Sequence, residues 1–333
     1  MTQPLVSVVT PFHNTAEYLG QCIASVLAQG YANFEYILVD NCSTDGAGDV
    51  AETYARQDSR IRVIHRTKLL SQVQNYNAAL AEISPISKFC KIVQADDCLF
   101  PECLELMVHA FEKSDSIGLV SSYWLKGDKV WGFDFPFPTP QISGKELAHM
   151  YLRDGVYVFG SPSTVMYRSS IVRESATFYR ESLLHEDTEK CLSILANWDF
   201  GFVHQILSFL RVDNDSISSR FSSFQPNVLD RYILLQRFAP VFLNSDEAKH
   251  LIRKSKREYY RVLAQGALQF RNSDFWRYHK AGLRTIGQRL DLALLALMVF
   301  GVLFWRVANP GSSLILILRS LKSVFAPTLK TKN

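Results

Sequence analysis

Two adjacent carboxylates, Asp96 and Asp97, follow a short apolar run that reaches Val93. An apolar run of this length between helical patterns is typical of a buried parallel strand, and ligands of open α/β sheets bind at the carboxyl ends of such strands. Because adjacent carboxylates repel each other, a divalent cation that also binds phosphate oxygens would stabilise them. The pair predicts a metal–diphosphate site. The alternative is that both residues only form a turn and cap a helix predicted from Leu99 to Lys113.

Two other strand ends carry polar side chains. The first predicted strand ends in Thr10–Asn14, and the second ends in Val39–Gly46. Asp40 closes an apolar strand, and a carboxylate there needs a partner such as a nucleotide base or a ribose. The polar residues that follow it are predicted to form a turn before the next helix: Asn41, Ser43, Thr44 and Asp45. The chain lacks the glycine patterns of dinucleotide-binding and P-loop proteins.

These strand ends belong to a series of alternating strands and helices over residues 5–123. The runs typical of strands are Leu5–Thr10, Tyr36–Val39, Ile61–Ile64, Phe89–Gln94 and Ile117–Ser121. Apolar residues at helical spacing separate them. The β-α-β-α order predicts an α/β, Rossmann-like fold with a mostly parallel sheet and helices on both faces. The section Trp124–Pro140 is predicted to form an active-site loop or a small hairpin, and only helical patterns follow Gln225.

The 333-residue chain has 47% hydrophobic and 20% charged residues, which indicates a globular protein. Its length allows one large domain with an appendage, or two domains. The six cysteines show neither a C-x-x-C pair nor disulfide spacing, so we expect reduced core thiols in a cytosolic compartment. No basic segment precedes the first strand, and we expect no secretory signal.

Charge is distributed unevenly along the chain. Residues 250–333 hold 15 Lys and Arg against 3 Asp and Glu, a net charge of +12, whereas residues 1–249 have a net charge of −8. The apolar run Leu292–Trp305 lies in the basic part, which favours an anionic membrane surface over nucleic acid as the partner. Its 14 residues are fewer than the roughly 20 of a membrane span, which favours an interfacial or re-entrant anchor continued by Leu314–Leu318. A spanning helix, a buried helix and a dimer interface are the alternatives.

Three motifs in order resemble the nucleotide-sugar-binding half of inverting family 2 glycosyltransferases: Val6–Asn14, Leu38–Gly46 and Gln94–Asp97. With a fourth motif further on, the resemblance covers approximately residues 5–215. It implies a GT-A-like fold.

The resemblance also implies roles for particular residues. Pro11, Phe12 and Asp40 would bind the nucleotide base, and the acidic D-x-D-like motif would bind Mn²⁺ or Mg²⁺ with the donor diphosphate. Because Gln94 stands where the family motif begins with Asp, Asp96 and Asp97 would share the ribose and metal contacts.

Two further donor contacts are expected from the resemblance. The segment Ser71–Leu80, which includes Asn77, occupies the place of a family helix whose N-terminal end faces the donor, and helix N-termini favour phosphate. Arg66 or Lys68 could add positive charge there. Arg211 lies before a polar loop that often closes over the donor in the family, and it would reach the diphosphate; a surface salt bridge is the alternative.

The fourth motif, His185-Glu186-Asp187, opens a helical pattern and matches the catalytic acidic motif of the family. By that resemblance Asp187 is the general base. A sugar hydroxyl is a poor nucleophile until its proton is removed, and a positioned carboxylate contributes typically about 10²–10⁴-fold to the rate. Without the resemblance, helix capping is the better explanation of Glu186 and Asp187.

The sequence therefore predicts a metal-dependent inverting glycosyltransferase at the inner face of the cytoplasmic membrane. It would use a nucleotide-diphospho-sugar donor, with UDP favoured, and a glycan or lipid-linked acceptor of cell-envelope polysaccharide synthesis. Residues 1–222 form the predicted catalytic domain, with a donor half of about 1–123 and an acceptor half of about 124–222. Residues 223–333 form a helical, basic, membrane-associating region, and a homo-oligomer is possible. The rival hypotheses are a nucleotidyltransferase and a catalytically inactive membrane-docked scaffold.

Overall fold

A computed structural model of the protein describes residues 3–175, 177–181, 186–212 and 222–308. These residues belong to two compact units. The first unit contains the described residues up to 212 together with 237–248, and the second contains 222–236 and 249–308. The three donor motifs all lie in the first unit, which takes residues 237–248 from the region predicted to be separate.

Ten strands of the described residues form one mixed sheet. Their bounds are β1 Val6–Phe12, β2 Phe34–Asp40, β3 Ile61–His65, β4 Phe89–Ile92, β5 Cys98–Leu99, β6 Ile117–Lys126, β7 Lys129–Trp131, β8 Gln141–Ile142, β9 Met166–Arg168 and β10 Asp199–Leu210. The order is β3-β2-β1-β4-β9-β6-β10-β5, with β7 beside β6 and β8 beside β10. Strands β1 to β4 are parallel, as are β6 and β10, while β9 joins the two groups antiparallel to both neighbours.

The helices of the first unit connect and cover these strands. They are α1 Ala16–Leu27, α2 Ala47–Ala55, α3 Gln72–Leu80, α4 Cys103–Glu112, α5 Gly144–Asp154, α6 Ser169–Arg173 and α7 Glu186–Leu195. Apolar residues at helical spacing bury one face of α1 and α4 in a continuous core against β1 and β2. Together with the helical region after β10, this architecture confirms the predicted α/β fold class.

The structure corrects the start of one predicted helix and confirms a predicted hairpin. The helix expected from Leu99 begins instead at Cys103, because Cys98 and Leu99 pair antiparallel with β10 and Pro101 separates this short strand from the helix. The section after Trp124 contains the expected small hairpin, since β6 and β7 pair antiparallel. All six cysteines are free, and four of them are buried, as expected of reduced core thiols: Cys22, Cys90, Cys103 and Cys191.

Within the described residues, four α-helices follow β10, namely α8 Pro226–Phe242, α9 Ser245–Leu268, α10 Ser273–Arg284 and α11 Leu292–Ala308. In the second unit, the buried Tyr232 and Tyr259 rings stack with their centroids 5.5 Å apart. The predicted apolar run forms α11. Within the described residues, no helix combines the length and the apolar character that crossing a membrane requires. The predicted second apolar piece, Leu314–Leu318, lies outside the described residues.

Candidate active site

The carboxyl ends of β1, β2, β3 and β4 meet at one edge of the sheet. Phe12 is paired with Asp40 in register, and Asp40 with His65. The backbone N–H of Val93, just after β4, donates to the Val9 carbonyl over 2.9 Å. The strand register therefore brings the first, second and acidic motifs to the same edge, where ligands of α/β sheets bind.

Asp40 is buried at this edge and has protein partners on both oxygens. Its Oδ1 accepts from the Ser43 backbone N–H over 2.8 Å, and its Oδ2 lies 3.0 Å from Nδ1 of His65. Burial by itself would raise the pKa of Asp40, but hydrogen bonds from Ser43 and His65 outweigh it and lower the pKa. The second nitrogen of His65 lies 3.0 Å from Glu52, and its two carboxylate partners raise the pKa of His65. Asp40 is thus held as an oriented anion.

The residues after Asp40 form the expected turn. Asn14 of the first motif accepts from the Thr44 backbone N–H over 2.8 Å, and its own N–H donates to Ser43. Asp45 accepts backbone N–H groups from the starts of both α1 and α2. Asn41 exchanges two hydrogen bonds with the Leu70 backbone. These side chains tie three loops together at the sheet edge.

Pro11 and Phe12, predicted to bind the base, have buried side chains at the end of β1. Phe12 is only 2% exposed and belongs to the hydrophobic core cluster. Their contact with the nucleotide base stays a prediction.

Asp96 and Asp97 form a turn after β4, and their surroundings differ. Asp96 is half-buried, whereas Asp97 is 4% exposed. One oxygen of Asp97 accepts from the Ser163 hydroxyl over 2.5 Å, and the other accepts from the Arg211 backbone N–H over 3.2 Å. Burial raises the pKa of Asp97 above its ordinary value, and the neighbouring Asp96 carboxylate raises it further. Asp97 therefore helps to hold the turn in place through these two hydrogen bonds, and Asp96 is the more accessible carboxylate.

Ser163 and Lys91 support this turn, and the sequence patterns predicted neither role. The Ser163 hydroxyl oxygen also accepts from the Gln94 backbone N–H over 2.9 Å. The backbone carbonyl of Ser163 accepts from the Lys91 ammonium over 2.8 Å. Lys91 is fully buried, and desolvation lowers its pKa. A lysine within an apolar strand was a signal of such a network, since buried cations are retained only with partners. Nothing in the sequence around Ser163 distinguished it.

Arg211, predicted to reach the diphosphate, lies beside the acidic turn. Its guanidinium donates to the Asp96 carbonyl over 3.1 Å and to the Gln21 side chain over 2.9 Å. The same group lies 4.5 Å from the centre of the Tyr18 ring. The structure thus places the Arg211 side chain next to Asp96, and its contact with the diphosphate stays a prediction. The polar loop that follows it, residues 213–221, lies outside the described residues.

Asn77, predicted as a donor contact, is paired with the backbone of Tyr179. Its amide nitrogen donates to the Tyr179 carbonyl over 2.8 Å, and its amide oxygen accepts from the Tyr179 N–H over 2.7 Å. This two-bond pairing connects α3 to the segment before α7. The amide keeps one N–H and one oxygen lone pair beyond these two bonds, and its contact with the donor stays a prediction.

Asp187 lies in the first turn of α7, where the helix dipole favours a carboxylate. Its side chain is half-buried and accepts from the Thr188 backbone N–H over 2.6 Å. Burial raises the pKa of Tyr157 well above its ordinary value, and the Asp187 carboxylate raises it further. His185 of the same motif lies outside the described residues.

Tyr76 links the acidic turn to the segment around Tyr179. Its hydroxyl accepts hydrogen bonds from Gln94 over 3.0 Å and from Gln72 over 2.9 Å. Burial raises the pKa of Tyr76, and the nearby carboxylates of Glu186 and Asp96 raise it further. The Tyr76 ring packs against the buried Tyr179 ring, with the two centroids 6.1 Å apart.

The donor set fits a cation bound mainly through phosphates. Within the described ranges, no three His, Cys, Asp or Glu side chains cluster as a metal cage would need. Mg²⁺ and similar ions at phosphate sites often use only one or two protein carboxylates and complete their shell with phosphate oxygens and water. Asp96, half-buried at a strand end, suits such a role.

Comparison with known proteins identifies relatives of this chain. The family model described as glycosyl transferase family 2 matches residues 7–175. Glycosyltransferase GlyG of Streptococcus pneumoniae is 27% identical over 175 residues, which cover 51% of this chain and 57% of that protein. An uncharacterized glycosyltransferase of Haemophilus influenzae is 32% identical over 211 residues, covering 60% and 64%. The chain thus spans less than two thirds of the length of either relative.

Solved structures share the fold at low sequence identity. S. aureus TarS, crystallised with UDP-GlcNAc, has a TM-score of 0.62 and 17% identity over 87% of this chain and 82% of its own. Mannosyltransferase PcManGT from Pyrobaculum calidifontis, in complex with GDP-Man and Mn²⁺, has a TM-score of 0.56 and 14% identity over 98% and 88%. At these identities the likeness establishes a shared GT-A-like fold.

Proposed function

The chain belongs to glycosyl transferase family 2, and we propose that it is a metal-dependent, inverting glycosyltransferase. A hexose or N-acetylhexosamine would move from a nucleotide diphosphate, with UDP as the favoured nucleotide, to a hydroxyl of a glycan or lipid-linked acceptor in cell-envelope polysaccharide synthesis. The observation that carries the proposal is the strand register that brings Asp40 and the acidic turn at Asp96 to one edge of the sheet. It supports a donor site for a nucleotide diphosphate, and the position of Asp187 in the first turn of α7 supports its role as the base.

On the donor side, Asp40 would accept hydrogen bonds from the nucleotide base while His65 and Ser43 hold it in place. Asp96 would be the principal protein ligand of Mn²⁺ or Mg²⁺, and Asp97 would position it through the turn. A bound cation would offset the negative charge that develops on the departing diphosphate. Arg211, held beside Asp96, would add a second positive charge at the same phosphates.

On the acceptor side, Asp187 would take the proton of the attacking hydroxyl. The hydroxyl oxygen would bond to the anomeric carbon as the bond from that carbon to the diphosphate breaks, which inverts the configuration. The position of Asp187 in the first turn of α7 favours its ionised form, which a base requires.

The acceptor would approach along a row of aromatic side chains that begins near Asp187. The Tyr157 hydroxyl lies 3.5 Å from that of Thr188, and the Tyr157 ring packs edge-on against Trp124. Gly132 is so close to Trp124 that a Cβ added there would lie 2.7 Å from its ring. The exposed Trp131, beside Gly132, extends the row to the surface. Such a row suits a sugar or a partly apolar acceptor.

The second unit would bring the enzyme to the membrane. Large apolar side chains of α11 are exposed, among them Phe300 at 70% and Phe304 at 77%. Exposed apolar surface next to basic residues is typical of helices that lie in the membrane interface. We propose that the protein associates in this way with the inner face of the cytoplasmic membrane.

A thermal-shift screen tests the donor proposal. The protein would be heated with UDP, GDP, CDP and ADP, each with Mn²⁺ and with EDTA. A ligand at 100 times its dissociation constant should stabilise the fold by about 2.7 kcal/mol. We expect one nucleotide, with UDP favoured, to raise the melting temperature only with Mn²⁺. The absence of a shift with every nucleotide would contradict the proposal.

A further inference from the structure

A basic depression opens in the second unit, where α10 ends and the chain turns toward α11. It has a volume of about 490 Å³ and is lined by Lys280, Arg284, Gly287, Gln288, Arg289 and Leu290. Three of these residues are cationic and none is acidic. The side chains of all three cations are exposed. We call this feature the basic depression.

The turn that forms the depression has a defined conformation. Gly287 has φ +68°, which favours glycine, and its N–H donates to the Arg284 carbonyl over 3.0 Å. The Gln288 N–H donates to the Leu283 carbonyl over 3.0 Å, and the Gln288 side chain accepts from the Tyr232 hydroxyl over 2.7 Å. Lys280 lies one helical turn before Arg284 and so points from the same face. These bonds fix the backbone of the turn from which Arg284 and Arg289 extend, and all three cations line the same space.

The exposed apolar helix α11 starts directly after the depression. Asp291 caps it by accepting from the Leu294 N–H over 2.9 Å. The Asp291 N–H donates to the Tyr260 hydroxyl over 2.8 Å, and Lys256 lies 3.3 Å from the Asp291 carboxylate. These bonds join the first turn of α11 to α9 and hold the start of the apolar helix next to the basic depression.

We propose that the basic depression binds the phosphate of an anionic phospholipid while α11 inserts its apolar side chains beside that lipid. The inference rests on the membrane association proposed above and names the ligand site. Charge complementarity supports it, because three cations without an acid match a phosphodiester. The adjacency of α11 selects a lipid in a bilayer over a free phosphate, since only a bilayer offers an anion and an apolar phase together.

A matched pair of triple variants of the full chain tests the site. The first replaces Lys280, Arg284 and Arg289 with Gln. The second replaces Arg253, Lys254 and Arg257 on α9 with Gln, which removes the same charges from another basic surface of the second unit. Binding is measured by sedimentation with vesicles of equimolar phosphatidylglycerol and phosphatidylcholine, and with phosphatidylcholine vesicles alone, at fixed salt.

Each basic residue at an anionic bilayer changes partitioning by about fivefold, so the depression variant should bind about a hundredfold more weakly. The α9 variant should lose less than about threefold, and free glycerol phosphate at equal phosphate concentration should not displace the wild type. Equal losses in the two variants would overturn the site and leave membrane association standing. If the wild type sediments with neither vesicle, membrane association and the site both fail. Wild-type dimers that dissociate in the depression variant would assign this surface to a second copy instead.

Discussion

The Ser163 hydroxyl donates to the buried Asp97 carboxylate over 2.5 Å and joins the turn after β4 to the short helical turn before β9. This bond separates the roles of the two adjacent carboxylates. Asp97 faces inward toward Ser163, and its neighbour Asp96 is the half-buried one. The adjacent acids that looked equivalent in the sequence therefore occupy different environments.

The first prediction compares these two acids. Asp96→Asn should abolish Mn²⁺-dependent nucleotide affinity, because it removes the proposed ligand. Asp97→Asn should retain Mn²⁺ dependence with weaker affinity, because it disturbs the support of the turn. Isothermal titration of UDP with and without Mn²⁺ measures both. If Asp97→Asn loses the metal dependence and Asp96→Asn keeps it, the assignment of the ligand is reversed.

The second prediction concerns the support itself. Ser163→Ala removes the hydroxyl partner of a buried carboxylate, which should lower the free energy of unfolding by about 1–3 kcal/mol. Ser193→Ala, at an exposed position of α7, should change it by less than about 0.5 kcal/mol. Urea unfolding followed by circular dichroism gives both values. Equal stabilities of the two variants would show that the Ser163–Asp97 bond contributes little.

The third prediction concerns the proposed base. Asp187→Asn should lower kcat by about 10²–10⁴-fold, because a general base acts in the transition state. Nucleotide affinity should stay within about twofold of the wild type, since the base does not contact the ground-state donor. Asp154→Asn, an exposed acid at the end of α5, serves as the control of equal charge change. Near-normal turnover of Asp187→Asn, when chemistry limits the rate, would remove Asp187 from the mechanism.

The fourth prediction concerns Asn77, whose amide pairs with the Tyr179 backbone. Asn77→Ala leaves the backbone N–H and carbonyl of the buried Tyr179 without that partner. The free energy of unfolding should therefore fall by about 1–3 kcal/mol. The exposed Asn197→Ala should be near neutral. Differential scanning calorimetry distinguishes the two. Lost UDP affinity without lost stability in Asn77→Ala would contradict this structural role and support the direct donor contact predicted from the sequence.

The fifth prediction is a pH dependence of stability in the second unit. His279 is fully buried beside Tyr259, and burial lowers its pKa to about 4. Between pH 6.5 and pH 4 the unfolded chain binds this proton and the folded chain does not, so stability falls as the pH falls. The fall attributable to His279 is about 3 kcal/mol.

Two variants isolate that contribution. His279→Gln should flatten the part of the stability profile between pH 4 and pH 6.5, whatever its effect at pH 7. His250→Gln, at an exposed histidine of α9, should leave the profile unchanged. Chemical unfolding at several pH values measures each slope. An unchanged slope in His279→Gln would show that this histidine titrates normally.

Sequence patterns predicted the strands and the edge at which Asp40 and Asp96 meet, because apolar periodicity and parallel topology determine where strands end. They missed contacts between residues far apart in the chain. Ser163 is 66 residues from Asp97, and Tyr179 is 102 residues from Asn77. Local spacing carries no information about such pairs, so the two acids looked alike and the pairing of Asn77 with Tyr179 was not predicted. The start of α4 was also misplaced, since pairing of Leu99 with β10 depends on tertiary structure.

Release of nucleotide diphosphate from sugar donors is the most direct measurement of the proposed activity. UDP-glucose, UDP-N-acetylglucosamine and GDP-mannose would each be incubated with the full chain and anionic membranes carrying lipid-linked acceptors, with Mn²⁺ or EDTA. We predict release from at least one donor with Mn²⁺, none with EDTA, and a loss of about 10²–10⁴-fold in Asp187→Asn. Release that is unaffected by both EDTA and Asp187→Asn, or no release from any donor, would contradict metal-dependent glycosyl transfer at this site.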